Sequence, residues 1–201
     1  LNLQLNRLEC IKKHYFCNLS RLEKLILRSN QMSSVQAGSF DSLSSLEELD
    51  LSDNCLFHIE SSLFLGLVRL KKLDLSENMI NRLNFNATLR NQNILTSLNL
   101  SRNLIETFVL GDSAGLLPNM NTIDLSCNAI LKTFQMSEQF SLVNLNENPL
   151  LRKLKVSDKT YPNLKQLYLS NSELKKQRNF VLGLNLSSFP NLVSLDLSSN
   201  D

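Results

Sequence analysis

One pattern of nine residues recurs along the whole chain and constrains the fold more than any other feature. The pattern is L-x-x-L-x-L-x-x-N, in which leucines precede a closing asparagine. The closing positions are Asn6, Asn30, Asn54, Asn78, Asn103, Asn128, Asn148, Ser172 and Asn200, the first of them ending a half copy. The differences between successive closing positions are 24, 24, 24, 25, 25, 20, 24 and 28. A period this constant predicts one solenoid domain over residues 1–201, with about nine stacked units.

Inside each copy, leucines alternate with polar residues with a period of two, as in a short β-strand. Because the leucines point to one side, the stacked copies predict a parallel sheet over a continuous core. The remainder of each unit returns along the outer side, where Phe16, Phe40 and Phe64 recur in register. We predict an α/β-type solenoid shaped like a horseshoe, with short parallel strands on the concave face. Its convex face is expected to contain irregular, 3-10 or helical segments.

The closing asparagine of each copy is explained by backbone chemistry. A buried amide side chain both donates and accepts hydrogen bonds, so a column of amides can satisfy the backbone groups where the chain leaves the sheet. We predict a structural asparagine ladder that consists of Asn30, Asn54, Asn78, Asn103, Asn128, Asn148 and Asn200. Ser172 brings only a hydroxyl to this column, so we expect a local flaw there.

These residues resemble the typical-class, 24-residue leucine-rich repeat of extracellular proteins. The match is essentially complete over residues 6–67 and continues in degraded form to residue 200. The unit carries a phenylalanine and an LDLSxN strand, and irregular units are interspersed, which is most similar to Toll-like receptor ectodomains. Cysteine-rich caps of the kind that close such horseshoes are absent from this sequence, so we expect a fragment, either part of a longer ectodomain or stabilised by a fused cap.

The resemblance implies a ligand-binding and dimerising segment of a Toll-like, pattern-recognition receptor of innate immunity. It implies that the protein is located on the extracellular side of the cell surface or the lumenal side of an endosome. Membrane attachment is expected only through a segment outside these residues. The expected partners are a protein or microbial ligand and a second receptor chain, in a homodimer or heterodimer. The alternative is an extracellular adhesion or matrix protein, or an antigen binder like a variable lymphocyte receptor.

Charge and residue counts favour a binding protein over an enzyme. The net charge of +2 is too small to indicate nucleic acid, although it permits such a partner. The chain has only two histidines, His14 and His58, and no cysteine pair with the spacing of a zinc site. We therefore expect no catalytic residues, no metal and no cofactor.

The central exposed position of the strands is mostly Asp or Asn, and two residues break this column. Ile26 and Tyr168 place apolar and aromatic surface on a polar face, with basic residues beside them. Aromatic and arginine side chains are favoured in binding interfaces. The hypothetical ligand-binding set is Ile26, Arg28, Lys72, Lys165 and Tyr168. Ordinary variation of surface residues explains the same positions equally well.

Four N-x-S/T sequons predict N-linked glycans, and they begin at Asn18, Asn86, Asn99 and Asn185. Each sequon alone is a weak signal in a chain this rich in Asn and Ser. Asn99 differs from the others because it lies in the middle of a strand on the concave face. A glycan there would push a ligand towards an edge or a lateral surface.

The four cysteines do not define a disulfide framework. Cys10 and Cys17 lie in one outer segment, where either a local bridge or free thiols are consistent with the sequence. Cys55 and Cys127 are three units apart and too distant to bridge. We expect both of them to be small, partly buried residues that fill space.

Overall fold

The computed structural model describes residues 1–81, 83, 88–89, 92, 94–108, 117–128, 131–151, 153–155, 160–173 and 185–200. Within these residues the chain consists of short parallel strands with almost no helix. The strands are β1 (Cys10–Ile11), β2 (Lys24–Ile26), β3 (Ser34–Val35), β4 (Glu48–Asp50), β5 (Lys72–Asp74), β6 (Ser97–Asn99), β7 (Thr107–Phe108), β8 (Thr122–Asp124), β9 (Thr133–Gln135), β10 (Leu142–Asn144), β11 (Lys153–Lys155), β12 (Gln166–Tyr168) and β13 (Ser194–Asp196). A 3-10 turn covers Leu186–Ser188. No described helix is long and apolar enough to cross a membrane.

Eight of these strands form one parallel sheet, which we call the main sheet. Their order is β2, β4, β5, β6, β8, β10, β12 and β13, so each unit pairs with the next unit along the chain. Leu49 lies directly between Leu25 and Leu73 in the register of the pairs. All three leucines are at most 2% exposed, as is Leu98 in β6. The predicted solenoid of parallel strands over a leucine core is therefore confirmed.

The outer side of the solenoid contains more strand than the sequence predicted. β1 pairs with β3, and β7, β9 and β11 form a separate sheet of three strands. Ile11, Val35 and Phe108 are the buried residues of β1, β3 and β7, and each lies five positions after a closing asparagine. The apolar residue at this position was visible in the sequence. Runs of two or three residues are too short for the alternation that would identify a strand.

Phenylalanine rings fill the space between the main sheet and the outer side. Phe16 stacks on Phe40 with 6.0 Å between ring centroids, and Phe108 stacks on Phe134 at 5.4 Å. All four rings are buried. Ring faces offset in this way are a favourable arrangement for aromatic pairs, and they hold successive units together on the outer side.

The closing amides connect each unit to its neighbour through backbone hydrogen bonds, as Asn54 illustrates. Its Nδ2 donates to the carbonyl oxygens of Leu27, Leu51 and Ser52 at 3.0–3.2 Å. Its Oδ1 accepts from the backbone N–H of Met32 in the preceding unit at 3.0 Å. The same four-bond arrangement occurs at Asn30, Asn78, Asn103 and Asn128.

The column is weaker around Ser172. The hydroxyl of Ser172 lies 3.2 Å from the carbonyl oxygens of Leu145 and Ser170. In the preceding unit, Asn148 donates to three carbonyls but its buried Oδ1 has no hydrogen-bond partner. The backbone N–H of Leu151 closes a turn on the carbonyl of Asn148, as that of Leu131 does on the carbonyl of Asn128.

A second row of side-chain amides, which the sequence analysis did not identify, lies at the other end of the strands. Gln139, Asn163 and Asn191 belong to it, each directly before the first apolar residue of its copy. They donate to the backbone carbonyls of the preceding unit, at Leu117, Glu138 and Pro162, over 2.8–3.0 Å. The equivalent positions of the N-terminal units are Arg21, Ser45 and Arg69.

The residue before each closing position has a left-handed backbone. The φ angles lie between 50° and 57° at Leu5, Ser29, Asp53, Glu77, Arg102, Cys127, Glu147, Asn171 and Ser199. None of these nine residues is glycine, the residue that adopts this conformation without a steric penalty. The left-handed residue turns the chain at the end of each strand of the main sheet.

Candidate binding face

The side chains that alternate with the buried leucines form one surface, which we call the open face of the main sheet. In β2 this surface contains Lys24 and Ile26, and Arg28 follows two residues later. The equivalent central residues of the other strands are Asp50, Asp74, Asn99, Asp124, Asn144, Tyr168 and Asp196. These central residues are half-buried, because neighbouring strands lie only about 4.8 Å apart.

Three charged side chains are linked across β2, β4 and β5 on this face. Lys24 Nζ lies 2.6 Å from Glu48 Oε2, and Lys72 Nζ lies 2.8 Å from Glu48 Oε1. Hydrogen bonds from Lys24 and then from Lys72 lower the pKa of the Glu48 carboxyl to about 2. The hydrogen bond to Glu48 also raises the pKa of Lys24. Glu48 is therefore ionised at every physiological pH and fixes the two ammonium groups beside it.

A shallow depression of about 230 Å³ surrounds this charged group. It is lined by Lys24, Leu25, Ile26, Glu48, Leu49, Asp50, Lys72, Leu73, Asp74, Ser97 and Asn99. Lys24, Glu48 and Lys72 are aligned across the three strands and form one column of side chains. Asp50 and Asp74 are aligned two residues further along the strands and form the next column. The depression therefore offers cationic donors and anionic acceptors side by side.

The aspartates of the LDLS strands are held by the serine two residues later. Asp50 Oδ1 accepts from the backbone N–H and the hydroxyl of Ser52 at 3.0 and 2.5 Å. Asp74 repeats these two bonds with Ser76 at 2.9 and 2.6 Å. Asp74 Oδ2 accepts a further bond from Asn99. The spacing D-x-S is the sequence signal for this arrangement, since both side chains then lie on the same face of the strand.

The five residues of the hypothetical ligand-binding set fall into two separate groups. Ile26 and Lys72 line the depression. Arg28 lies beside it, and its Nη2 is 3.7 Å from Glu77 Oε1. Tyr168 and Lys165 belong to β12 and the residue before it, six strands away from β2. That separation corresponds to about 29 Å along the sheet. A single small ligand cannot contact both groups.

The described sequons differ in their surroundings. Asn18 is exposed with a φ of 66°, and Asn185 is exposed and caps the 3-10 turn. Asn99 is half-buried, its Nδ2 donates to Asp74 Oδ2 at 3.1 Å and its Oδ1 accepts from the Ser101 N–H at 3.0 Å. A glycan on Asn99 Nδ2 would have to replace or rearrange the first of these bonds. Asn86 lies outside the described residues.

All four cysteines are free thiols. Of the two possibilities for Cys10 and Cys17, a local bridge or free thiols, the structure therefore shows the second. Cys127 is half-buried, and burial raises the pKa of its thiol. Cys55 is exposed, so the expectation that it is partly buried was wrong. Cys55 directly follows a closing asparagine and lies at the rim of the sheet. Among the described residues, no three His, Cys, Asp or Glu side chains are grouped to hold a metal ion.

Comparison with known proteins supplies the family. The model of the family described as leucine rich repeat matches residues 1–56 and 47–105, which together cover more than half of the chain. The chain is a leucine-rich repeat protein. No curated protein matched its sequence.

Solved leucine-rich repeat structures superpose on almost the whole of this protein. The leucine-rich repeat domain of APL1B matches with a TM-score of 0.81 and 22% identity, over 99% of this chain and 56% of that chain. The structure of the TLR13–ssRNA13 complex matches with a TM-score of 0.76 and 27% identity, over 100% of this chain and 31% of that chain. The LRIM1/APL1C complex gives a TM-score of 0.75 and 24% identity, over 100% of this chain and 35% of that chain.

This leucine-rich repeat protein therefore spans between about a third and just over half of the length of these relatives. At 22% and 24% identity, the likeness to APL1B and to the LRIM1/APL1C complex shows the fold alone. Leucine-rich repeat domains are protein-interaction modules. The open face and its two edges are the surfaces that such a solenoid offers to a partner.

Proposed function

We propose that this protein is a ligand-binding segment of a Toll-like pattern-recognition receptor of innate immunity, on the extracellular or lumenal side of a membrane. The observation that carries the proposal is the likeness to TLR13, which covers 100% of the chain at 27% identity with a TM-score of 0.76. That structure is a complex with RNA, and another similar structure is the LRIM1/APL1C complex. Both structures are complexes of proteins that have the same solenoid fold.

The open face supports the ligand-binding part of the proposal. Its side chains are accessible along eight strands, and charged groups of both signs are already fixed in position by Glu48 and by the Asp–Ser pairs. Side chains that are held before a ligand arrives lose less conformational entropy on binding.

A binding panel with the 201-residue protein tests the proposal. The panel contains a short single-stranded RNA, a lipopeptide, a lipopolysaccharide and a bacterial surface protein, with collagen and heparin representing extracellular matrix. Saturable binding of one microbial molecule, weakened when Asp74→Lys places a charge of opposite sign on the open face, is the expected result. Binding of collagen or heparin without any microbial molecule would instead support the adhesion and matrix alternative.

Pairing with a second receptor chain is the other part of the proposal. The edge that suits it is the side of the solenoid where the strands of the main sheet end. Phe57, Met79 and Leu104 are 58%, 46% and 44% exposed and belong to three successive units. Met79 and Leu104 directly follow closing asparagines, and Phe57 lies three residues after Asn54. Asp53 and Arg102 flank them along the same edge. In a two-fold symmetric pair with its axis near Met79, the aspartate of one copy would face the arginine of the other.

Substitution at this edge tests the pairing. Met79→Asp should convert the associated protein into a monomer in analytical ultracentrifugation, because it places a charge in the centre of the apolar surface. Val68→Asp is the matched control, since Val68 is similarly exposed at 54% but lies on the outer side. Equal sedimentation of the wild type and both variants, at every concentration tested, would exclude this edge as the pairing surface.

A further inference from the structure

The depression between β2 and β6 differs from the rest of the open face in its charges. Lys24, Glu48 and Lys72 occupy one column on adjacent strands, and Asp50 and Asp74 occupy the next column. In β10, β12 and β13, the residues of the lysine column are Leu142, Gln166 and Ser194. Cationic and anionic columns are therefore adjacent at the N-terminal strands, whereas the first column of these C-terminal strands is uncharged.

The polar groups of the depression retain capacity for a ligand. Each lysine ammonium has three donors and uses one of them on Glu48. Lys24 and Lys72 are 57% and 63% exposed, so the remaining donors are accessible. Among the bonds found in the described part of the chain, Asp50 uses Oδ1 on Ser52, whereas Oδ2 accepts none. Asp50 is the aspartate of the depression with an available carboxylate oxygen, because Asp74 Oδ2 is already bonded to Asn99.

The spacing of these groups matches an extended polypeptide. Residues two apart on one face of a strand are separated by about 6.6 Å, which is the distance between the lysine column and the aspartate column. An extended partner segment repeats the same spacing between its own alternate side chains. Ile26 adds a half-buried apolar contact at the end of the depression.

We propose that this depression binds an extended segment of a partner protein in which an acidic and a basic side chain are two residues apart. The acidic side chain is bound by Lys24 and Lys72, and the basic side chain is bound by Asp50. This inference rests on the proposed function, because it takes the open face as the binding surface and specifies the partner for one part of it.

The same charges disfavour nucleic acid as the occupant. The two lysines and three carboxylates of the lining give it a net charge of −1. A phosphate backbone needs a surface that is positive along its length. The aspartates would lie against the phosphates, and Glu48 already neutralises part of the charge of the lysines.

A titration followed by NMR tests the proposal with a defined probe. The ¹⁵N-labelled 201-residue protein is titrated with the blocked peptide Gly-Ser-Glu-Ser-Arg-Ser-Gly, and with a matched peptide in which Gln replaces both charged residues. Saturable shifts of the amides of β2, β4 and β5 are expected with the charged peptide, with weaker binding at high salt. The neutral peptide should bind more weakly.

Two substitutions and their matched controls assign the contacts. Asp50→Asn and Lys72→Gln should each weaken the charged peptide by about threefold, the size expected for an exposed ion pair. Asparagine keeps Oδ1, so the bonds of residue 50 to Ser52 are retained. Asp196→Asn and Lys132→Gln are the controls, since Asp196 accepts from Ser198 in the same way at the far end of the sheet and Lys132 is paired with Glu106 directly before the outer strand β9. These control variants should bind as the wild type does.

The proposal is overturned if the charged peptide leaves β2, β4 and β5 unshifted, or if Asp50→Asn and Asp196→Asn bind it equally. It is also overturned if a short oligouridylate shifts these strands at lower concentration than the peptide does. Absence of peptide binding together with binding of a microbial molecule at other strands would reject this inference and leave the proposed receptor function standing.

Discussion

The two halves of the molecule differ in where side-chain amides join successive turns of the solenoid. The N-terminal units close at Asn30, Asn54 and Asn78, and the C-terminal units close at Asn148, Ser172 and Asn200. In the N-terminal units each closing amide makes four hydrogen bonds to the backbone. In the C-terminal units Asn148 Oδ1 has no partner and Ser172 has only a hydroxyl, whereas Asn200 again makes four bonds to the backbone. Asn163 and Asn191 add bonds to the backbone at the opposite end of the strands.

The lengths of the units explain this difference. The three N-terminal units are equal in length, which keeps the backbone N–H of one unit in line with the closing amide oxygen of the next. The shortened unit that closes at Asn148 disturbs that alignment, whereas in the lengthened unit Asn200 Oδ1 accepts from the Ser172 N–H at 2.9 Å. A second row of amides adds bonds to backbone carbonyls at the opposite end of the strands. In the C-terminal units, side-chain amides therefore join successive turns at both ends of the strands.

The largest expected effect is at the closing column of the N-terminal units. Asn54→Ala removes four hydrogen bonds and leaves buried backbone groups without partners, so it should lower the free energy of unfolding by about 3 kcal/mol. Ser172→Ala removes one hydroxyl donor, which lies 3.2 Å from two carbonyl oxygens, and should cost about 1 kcal/mol. Urea unfolding followed by circular dichroism measures both. Equal losses would show that the two halves depend equally on this column.

The second row should have a smaller effect, confined to the C-terminal units. Asn163→Ala removes the bond to the carbonyl of Glu138 and should lower the free energy of unfolding by about 1 kcal/mol. Ser45→Ala changes the equivalent position of an N-terminal unit and should change it by less than about 0.5 kcal/mol. If Ser45→Ala cost as much as Asn163→Ala, the second row would not be specific to the C-terminal units.

The smallest effect concerns the ion pairs of the N-terminal open face. The pKa of Glu48 is lowered from 4.5 to about 2, so its stabilising contribution is complete above pH 4.5 and is lost as the pH falls towards 2. Glu48→Gln should therefore lower stability at pH 7 by less than about 1 kcal/mol, because the carboxylate is partly exposed. The difference from the wild type should disappear near pH 2, which urea unfolding across this pH range would show. A difference that persisted at pH 2 would assign the effect of the substitution to packing.

The sequence predicted the main sheet because Leu25, Leu49, Leu73 and Leu98 recur at a nearly fixed period. It did not predict the outer strands, whose two or three residues carry no alternation. The linkage of Lys24, Glu48 and Lys72 was present in the sequence, since the three residues occupy the same position of successive units, and aligning the units for charge as well as for leucine would have found it. The second row of amides was harder to find, because Gln139, Asn163 and Asn191 follow unequal steps.

The nine left-handed residues before the closing positions also bear on how this protein folds. Each of them costs roughly 1–2 kcal/mol relative to an ordinary backbone conformation. An isolated unit would bear this strain without the hydrogen bonds to its neighbours that offset it, so nucleation should require several adjacent units at once. Growth of the native structure from such a nucleus would then proceed turn by turn towards both termini.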